Sequence, residues 1–294
     1  MVRLLLLLGC AEGITPETTW HPRFHFLPVP LGLRLRLMWM DAVDLREFYA
    51  TTTGRMARSV IRQNLRQMWP DVSGQNVLGV GYTTPYLGLF RPEAARTVAA
   101  MPARQGVLHW PPNEPGLTAL VHESELPFAD LSMDRILMVH AVESSEQLRH
   151  MLREVWRVLS DSGRLIVVAP NRRGIWARLE RSPFAHGQPY SPPQLSRLLR
   201  DNMFTPIRSH VGLYMPPSHA RLMLSAAPAW EQIGRRLFPA FGGVVMVEAA
   251  KEIYAGQLTE KREMRRAFAL APPGGGANRL THRRNTANNG GEKA

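Results

Sequence analysis

With a single cysteine, Cys10, the chain has no internal disulfide and no cysteine-based zinc site. It also lacks a Cys/His metal spacing, a phosphate-gripping Gly-Lys-Ser/Thr loop and a Gly-x-Ser-x-Gly nucleophile elbow. Those absences argue against a zinc hydrolase, a P-loop nucleotidase and an α/β-hydrolase. No internal repeat is visible. No apolar run is long enough to span a bilayer, because Phe24–Trp39 is interrupted by Pro28, Pro30, Arg34 and Arg36. Acidic residues are scarce, 24 against 36 Lys and Arg, but the imbalance is uneven. Residues 259–294 alone carry eight Lys/Arg against three Glu. The body of the chain is only mildly basic, so the net charge of +12 does not by itself argue for nucleic acid.

The apolar residues fall into short blocks. The most informative stretch is Leu126–Asn171. Ile136-Leu137-Met138-Val139 and Leu165-Ile166-Val167-Val168 are continuous apolar runs, the pattern of parallel strands covered on both faces. Between them Leu148, Leu152, Val155 and Leu159 recur at three- and four-residue steps, which predicts one helical stripe facing a sheet. Ser160-Asp161-Ser162-Gly163 predicts the end of that helix, with Gly163 free to take a positive φ. The result is a βαβ unit.

Upstream, Asp44 predicts the cap of a helix running toward Met68, broken at 51–54. Gln75–Val80 reads as the first strand, Arg96–Ala100 as the second and Leu117–Val121 as the third. Downstream, Ser191 caps a helix with Pro192 at its first position. Pro206–Leu213 and Gly243–Ala249 read as late strands on either side of a helix near Ala229–Phe238.

Three regions follow: an N-terminal extension over 1–39, a folded domain over 40–258 and a basic tail over 259–294. Leu7-Leu8-Gly9-Cys10 has the look of a lipobox, but Leu4–Leu8 is shorter than a signal core of about 7–15 residues. The other reading makes 1–39 a non-folding extension, with Met40 the natural beginning. The tail is rich in Gly, Asn and Arg and nearly free of apolar residues after Leu280, a composition that does not pack.

Several residues have chemistry to offer. In Leu78-Gly79-Val80-Gly81-Tyr82-Thr83 a glycine pair follows a buried strand, so backbone can approach a ligand at the sheet's C-terminal edge. His140 ends the fourth strand, and an imidazole there can act as a general base near neutral pH. Asn171, Arg172 and Arg173 follow the fifth strand and overlook the same edge, with His186 and Tyr190 beyond them. Arginines so placed can bind a carboxylate or phosphate, or can simply be an exposed basic loop.

The spacing and wording of Leu126–Asn171 resemble the second half of a class I S-adenosylmethionine (SAM) dependent methyltransferase of the type 11 kind. The resemblance spans about residues 55–255. It implies an α/β fold: a Rossmann-like three-layer sandwich on a mainly parallel seven-stranded sheet with its last strand antiparallel. It implies SAM as cofactor, a small-molecule methyl acceptor, no metal and a cytoplasmic enzyme. By the same resemblance Gly79, Val80, Gly81, Tyr82 and Thr83 wrap the amino acid end of SAM. Met101 lies at the ribose, His122 and Glu123 at the adenine, and His140 beside the methyl donor, where it is the candidate catalytic residue. Asn171, Arg172, Arg173, His186 and Tyr190 cap the acceptor pocket.

The chain departs from the family pattern in two places. The third glycine of the loop is replaced, with Thr83 near its position. The acid that usually ends the second strand is absent from Val98–Ala103, and losing a charged hydrogen-bond acceptor weakens binding by about 1.5–3 kcal/mol. Those departures motivate an alternative: a degenerate methyltransferase fold serving as a binding or regulatory protein. Arg172, Arg173 and the basic tail motivate another, an RNA methyltransferase. No Asn/Asp-Pro-Pro-Tyr motif follows the fourth strand and no cysteine nucleophile lies in the body, so nucleic acid is the less favoured partner.

Overall fold

The computed structural model describes residues 40–179, 182–217 and 226–252. Residues 1–39 and 259–294, given above to an extension and a tail, lie outside the described residues. The strands are β1 (Asn76–Gly81), β2 (Arg96–Pro102), β3 (Thr118–Val121), β4 (Met133–Val139), β5 (Leu159–Pro170), β6 (Phe204–Gly212) and β7 (Val244–Lys251). They form one sheet in the order β3-β2-β1-β4-β5-β7-β6. β3, β2, β1, β4 and β5 pair in parallel, and β7 runs antiparallel to both β5 and β6. The Rossmann-like α/β class and the antiparallel last strand are as expected. Among the described residues no helix is long and apolar enough to cross a membrane.

The helices are α1 (Ala42–Ala50), α2 (Thr52–Met68), α3 (Thr84–Leu87), α4 (Leu148–Val158), α5 (Pro192–Asp201) and α6 (Ala227–Leu237). Side chains alternate across the sheet, so each strand feeds two cores. Leu78 and Val80 of β1 with Ile136 and Met138 of β4 meet Met151, Leu152 and Val155 of α4 and Leu195 and Leu199 of α5. Val77, Leu137 and Val139 meet Leu45 and Tyr49 of α1 and Ile61 and Leu65 of α2 on the other face. This is why the β4 run is apolar at every position: both faces are covered. Burying each such side chain is worth about 1.5–3 kcal/mol.

Two local readings need correction. The helix before β5 does not run on to a Gly163 stop. It ends at Val158, and Ser160–Gly163 are already strand. Gly163 is not among the glycines with positive φ. Sheet pairing takes these residues: Leu159 pairs with Met133, Ser160 Oγ donates to Asp134 at 3.2 Å, and Asp161 stands 3.7 Å from Lys251. At the N-terminus the cap is Asp41, whose carboxylate accepts from the Val43 amide at 2.7 Å, while Asp44 sits in the first turn. The expected break falls at Thr51, an extended residue that both ends α1 and caps α2.

The Leu-Pro-Phe turn before β4 is fixed by α4. Arg157 donates to the carbonyls of Leu126 and Phe128, each at 2.9 Å, and pairs with Glu154. Glu154 in turn accepts from the Leu126 amide at 2.9 Å. The chain reverses its direction of travel across the sheet between β1 and β4. The C-terminal tips of β1, β2 and β4 therefore frame the crevice where doubly wound folds bind ligands.

Candidate functional site

At the tip of β1 the glycines pack against protein. Gly79 and Val80 are strand residues, and the Val80 side chain lies in the core. A Cβ on Gly79 would overlap Thr83 Oγ1 and come within 2.7 Å of the Leu87 side chain. Gly81 has φ +88°, and a Cβ there would jam against the Val139 carbonyl and stand 2.9 Å from Ala141 Cβ. The structure gives this pair a packing role: Gly81 lets β1 close onto the tip of β4. Tyr82 and Thr83 are buried just beyond, and Thr83 Oγ1 has no hydrogen-bond partner.

His140 is the centre of the site. Its φ is +52°, a left-handed conformation that costs a non-glycine residue energy and persists only where its surroundings enforce it. Nε2 lies 2.8 Å from the Tyr49 hydroxyl of α1, which itself accepts from the Tyr86 hydroxyl at 2.8 Å. Burial, then the neighbouring Tyr86, holds the Tyr49 phenol well above its usual range. Tyr49 therefore stays protonated and donates to Nε2, which leaves the ring proton on Nδ1, 3.2 Å from Glu143 Oε1. That contact is close enough for an ion pair but out of line for a hydrogen bond. Neither oxygen of the buried Glu143 carboxylate accepts one.

Aromatic rings close around this centre. Tyr49 stacks on Tyr82 with centroids 5.9 Å apart and planes 15° apart. Phe184 stands 5.2 Å from the imidazole and is backed by Trp176, whose Nε1 donates to the Met215 carbonyl at 2.7 Å. Met101, placed at the ribose by the sequence, is fully buried in the same cluster as Tyr49 and Tyr82.

The turn after β2 supplies a group that the sequence reading missed. Gln105 is buried, and its Nε2 donates to the His140 carbonyl at 3.0 Å, while Oε1 has no partner. Its backbone carbonyl accepts from Ala42 at the start of α1, at 2.7 Å. At the tip of β3, Glu123 is buried and already engaged: it accepts from Ser145 Oγ at 2.7 Å and from the Gln147 amide at 3.3 Å. His122 is exposed and bonds Ser124 Oγ at 2.8 Å. Both line a cleft of about 50 Å³ with Pro102, Ala103, Arg104 and Gln147. A larger depression, about 520 Å³, lies at Gly88, Arg91, Trp110 and Glu114 and contains none of the expected site residues.

The residues after β5 are mostly employed elsewhere. Asn171 is buried and donates to the carbonyls of Ala240 and Gly242 at 2.9 and 2.6 Å, so it ties a loop rather than facing the crevice. Arg172, Arg173 and His186 are exposed, and His186 Nδ1 lies 3.1 Å from the Ser182 carbonyl. The expected acceptor role of these four has no support from their placement. Tyr190 does reach the site's edge. It is buried, and burial followed by the Glu143 charge pushes its phenol up to about 12. Tyr49, Gln105 and Glu143 were missed because their signals are weak: an aromatic on a preceding helix, an amide past a strand, and an acid three residues after His140.

Residues 78–167 match the family model described as a methyltransferase domain. Over this stretch the chain is similar to a methyltransferase domain. The fold agrees. A SAM-dependent methyltransferase of Thermotoga maritima superposes with a TM-score of 0.50 at 16% identity, over 71% of this chain and 96% of that one. Another, from Archaeoglobus fulgidus, gives 0.50 at 15% identity, over 71% and 98%. In sequence, an uncharacterized protein of Mycobacterium tuberculosis is 28% identical over 206 residues, 66% of this chain and 69% of that protein.

SAM is the cofactor that goes with this methyltransferase domain. The donor set fits it: Thr83 Oγ1, Gln105 Oε1 and both Glu143 oxygens are buried polar atoms without hydrogen-bond partners, on the segments that follow β1, β2 and β4. In a folded protein such atoms call for a ligand or water to complete them. The space between them is held by the chain itself. Tyr49 and Gln105 both bond His140 at the tip of β4.

Proposed function

We propose that this protein is a cytoplasmic SAM-dependent methyltransferase that acts on a small-molecule acceptor. One observation carries the reading: Gln105 and Glu143, each with an unpartnered buried oxygen, both contact a strained His140 at the C-terminal edge of the sheet. Gly81, Tyr82 and Thr83 hold the amino acid end of the cofactor. The Gln105 amide takes over the ribose in place of the absent acid, and the cleft at His122 and Glu123 takes the adenine side. SAM supplies an electrophilic methyl group on a sulfonium. The protein orients the acceptor against it, and that positioning accounts for much of the acceleration. His140, with Glu143 at its far nitrogen, receives the acceptor's proton.

Isothermal titration of the full chain with SAM tests this reading. One saturable site in the micromolar range is expected. Absence of heat would favour the second reading, a methyltransferase fold retained as a binding protein, to which the filling of the crevice by Tyr49 and Gln105 lends support.

A further inference from the structure

The Tyr49 hydroxyl is bound as a substrate hydroxyl would be. It accepts from Tyr86 and donates to His140 Nε2, and its ring lies flat against Tyr82 and edge-on to Tyr86. Three features separate this from ordinary core packing. The histidine involved is held in a left-handed conformation. A buried carboxylate with no hydrogen-bond donor stands behind it. And the helix carrying Tyr49 is set off from α2 by the extended Thr51. We infer that Tyr49 occupies the acceptor's place and that the acceptor is a phenol, which enters the Tyr82–Tyr86–His140 subsite when α1 withdraws.

This inference rests on the methyltransferase reading above and names its substrate class. The Tyr86 hydroxyl donates to the phenol oxygen, and the phenol O–H points at His140 Nε2, as Tyr49 does now. In the transfer the phenol proton passes to Nε2 and the oxygen forms the new C–O bond to the methyl carbon. The C–S bond breaks with its electron pair going to sulfur, so the sulfonium becomes a neutral thioether and the imidazole carries the positive charge beside Glu143. An amine acceptor would match the subsite less well, since the Tyr86 hydroxyl donates into the acceptor position and would occupy the single lone pair of a neutral amine.

The test uses the full chain, its Tyr49→Phe and Tyr49→Ala variants and three probes of one shape: 4-methylphenol, 4-methylaniline and toluene. SAM binding is measured first by titration, then product by mass spectrometry. The expected result is 4-methylanisole from 4-methylphenol only. It should form about tenfold faster with Tyr49→Ala than with the native chain and be lost when His140→Gln is added. Tyr49→Phe keeps every ring contact and loses only the hydroxyl's two hydrogen bonds. It guards against a fold defect in Tyr49→Ala and should also exceed the native rate. SAM binding without a methyl ether from 4-methylphenol, or with N-methylation of 4-methylaniline instead, overturns the phenol class and leaves the methyltransferase reading standing. No SAM binding by any of the three proteins overturns both.

Discussion

Gly81→Ala is expected to destabilise the fold severely. The position has φ +88°, which alanine adopts only at a cost, and the added methyl would drive into the Val139 carbonyl with Ala141 Cβ 2.9 Å away. Both neighbours belong to the tip of β4 in the centre of the sheet, so neither moves without breaking the β1–β4 pairing. Overlap with backbone plus a disfavoured φ should cost more than about 4 kcal/mol, a large share of the roughly 5–15 kcal/mol that stabilises a typical domain. Gly74→Ala separates the two causes. Its φ is +69° with nothing within 4 Å of the added atom, so it bears only the backbone cost of about 1–2 kcal/mol. Urea denaturation of both variants checks this. Equal losses would mean that the close approach of β1 to β4 is not what Gly81 provides.

Glu143→Gln should move stability and activity in opposite directions. The carboxylate is buried and accepts no hydrogen bond, and its nearest cationic partner is an imidazole 3.2 Å away in poor alignment. An unpaired buried charge is costly, and a neutral amide of the same shape removes that cost. A gain of about 1 kcal/mol would raise Tm by about 2–4 °C in a domain of this size. Methyl transfer should fall by about a hundredfold, because His140 loses the group that stabilises its charged form. The loss should appear in kcat, since Glu143 acts through His140. A drop in Tm would show that the carboxylate is a structural anchor instead.

Much of the scaffold could be read from the chain because the sheet writes itself into the sequence. Two doubly covered strands, β4 and β5, are apolar at consecutive positions, and the α4 stripe between them has the helical period. The end of α4 was not legible, since Ser160–Gly163 carries turn-type residues whose fate is decided by Met133, Asp134 and Lys251, all distant in sequence. The site was legible only where it lies on strand tips. Tyr82 and Met101 share a buried cluster with Tyr49, which bonds His140. Glycine spacing did not reveal whether the space beside Gly79 and Gly81 holds a ligand or protein. Asn171 and Glu123 bear the right chemistry, but nearby loops use their hydrogen bonds. Tyr49 and Gln105 come from segments with no motif, and only the folded arrangement shows both bonded to His140.

Amide hydrogen exchange of the full chain with and without SAM tests the central claim most directly. With SAM, exchange should quicken across α1, Ala42–Ala50, as Tyr49 leaves His140, and should slow at Gly81–Thr83 and over the 103–106 turn. Unchanged exchange in α1, or protection gained anywhere except the tips of β1, β2 and β4, would contradict a crevice that opens by withdrawal of that helix.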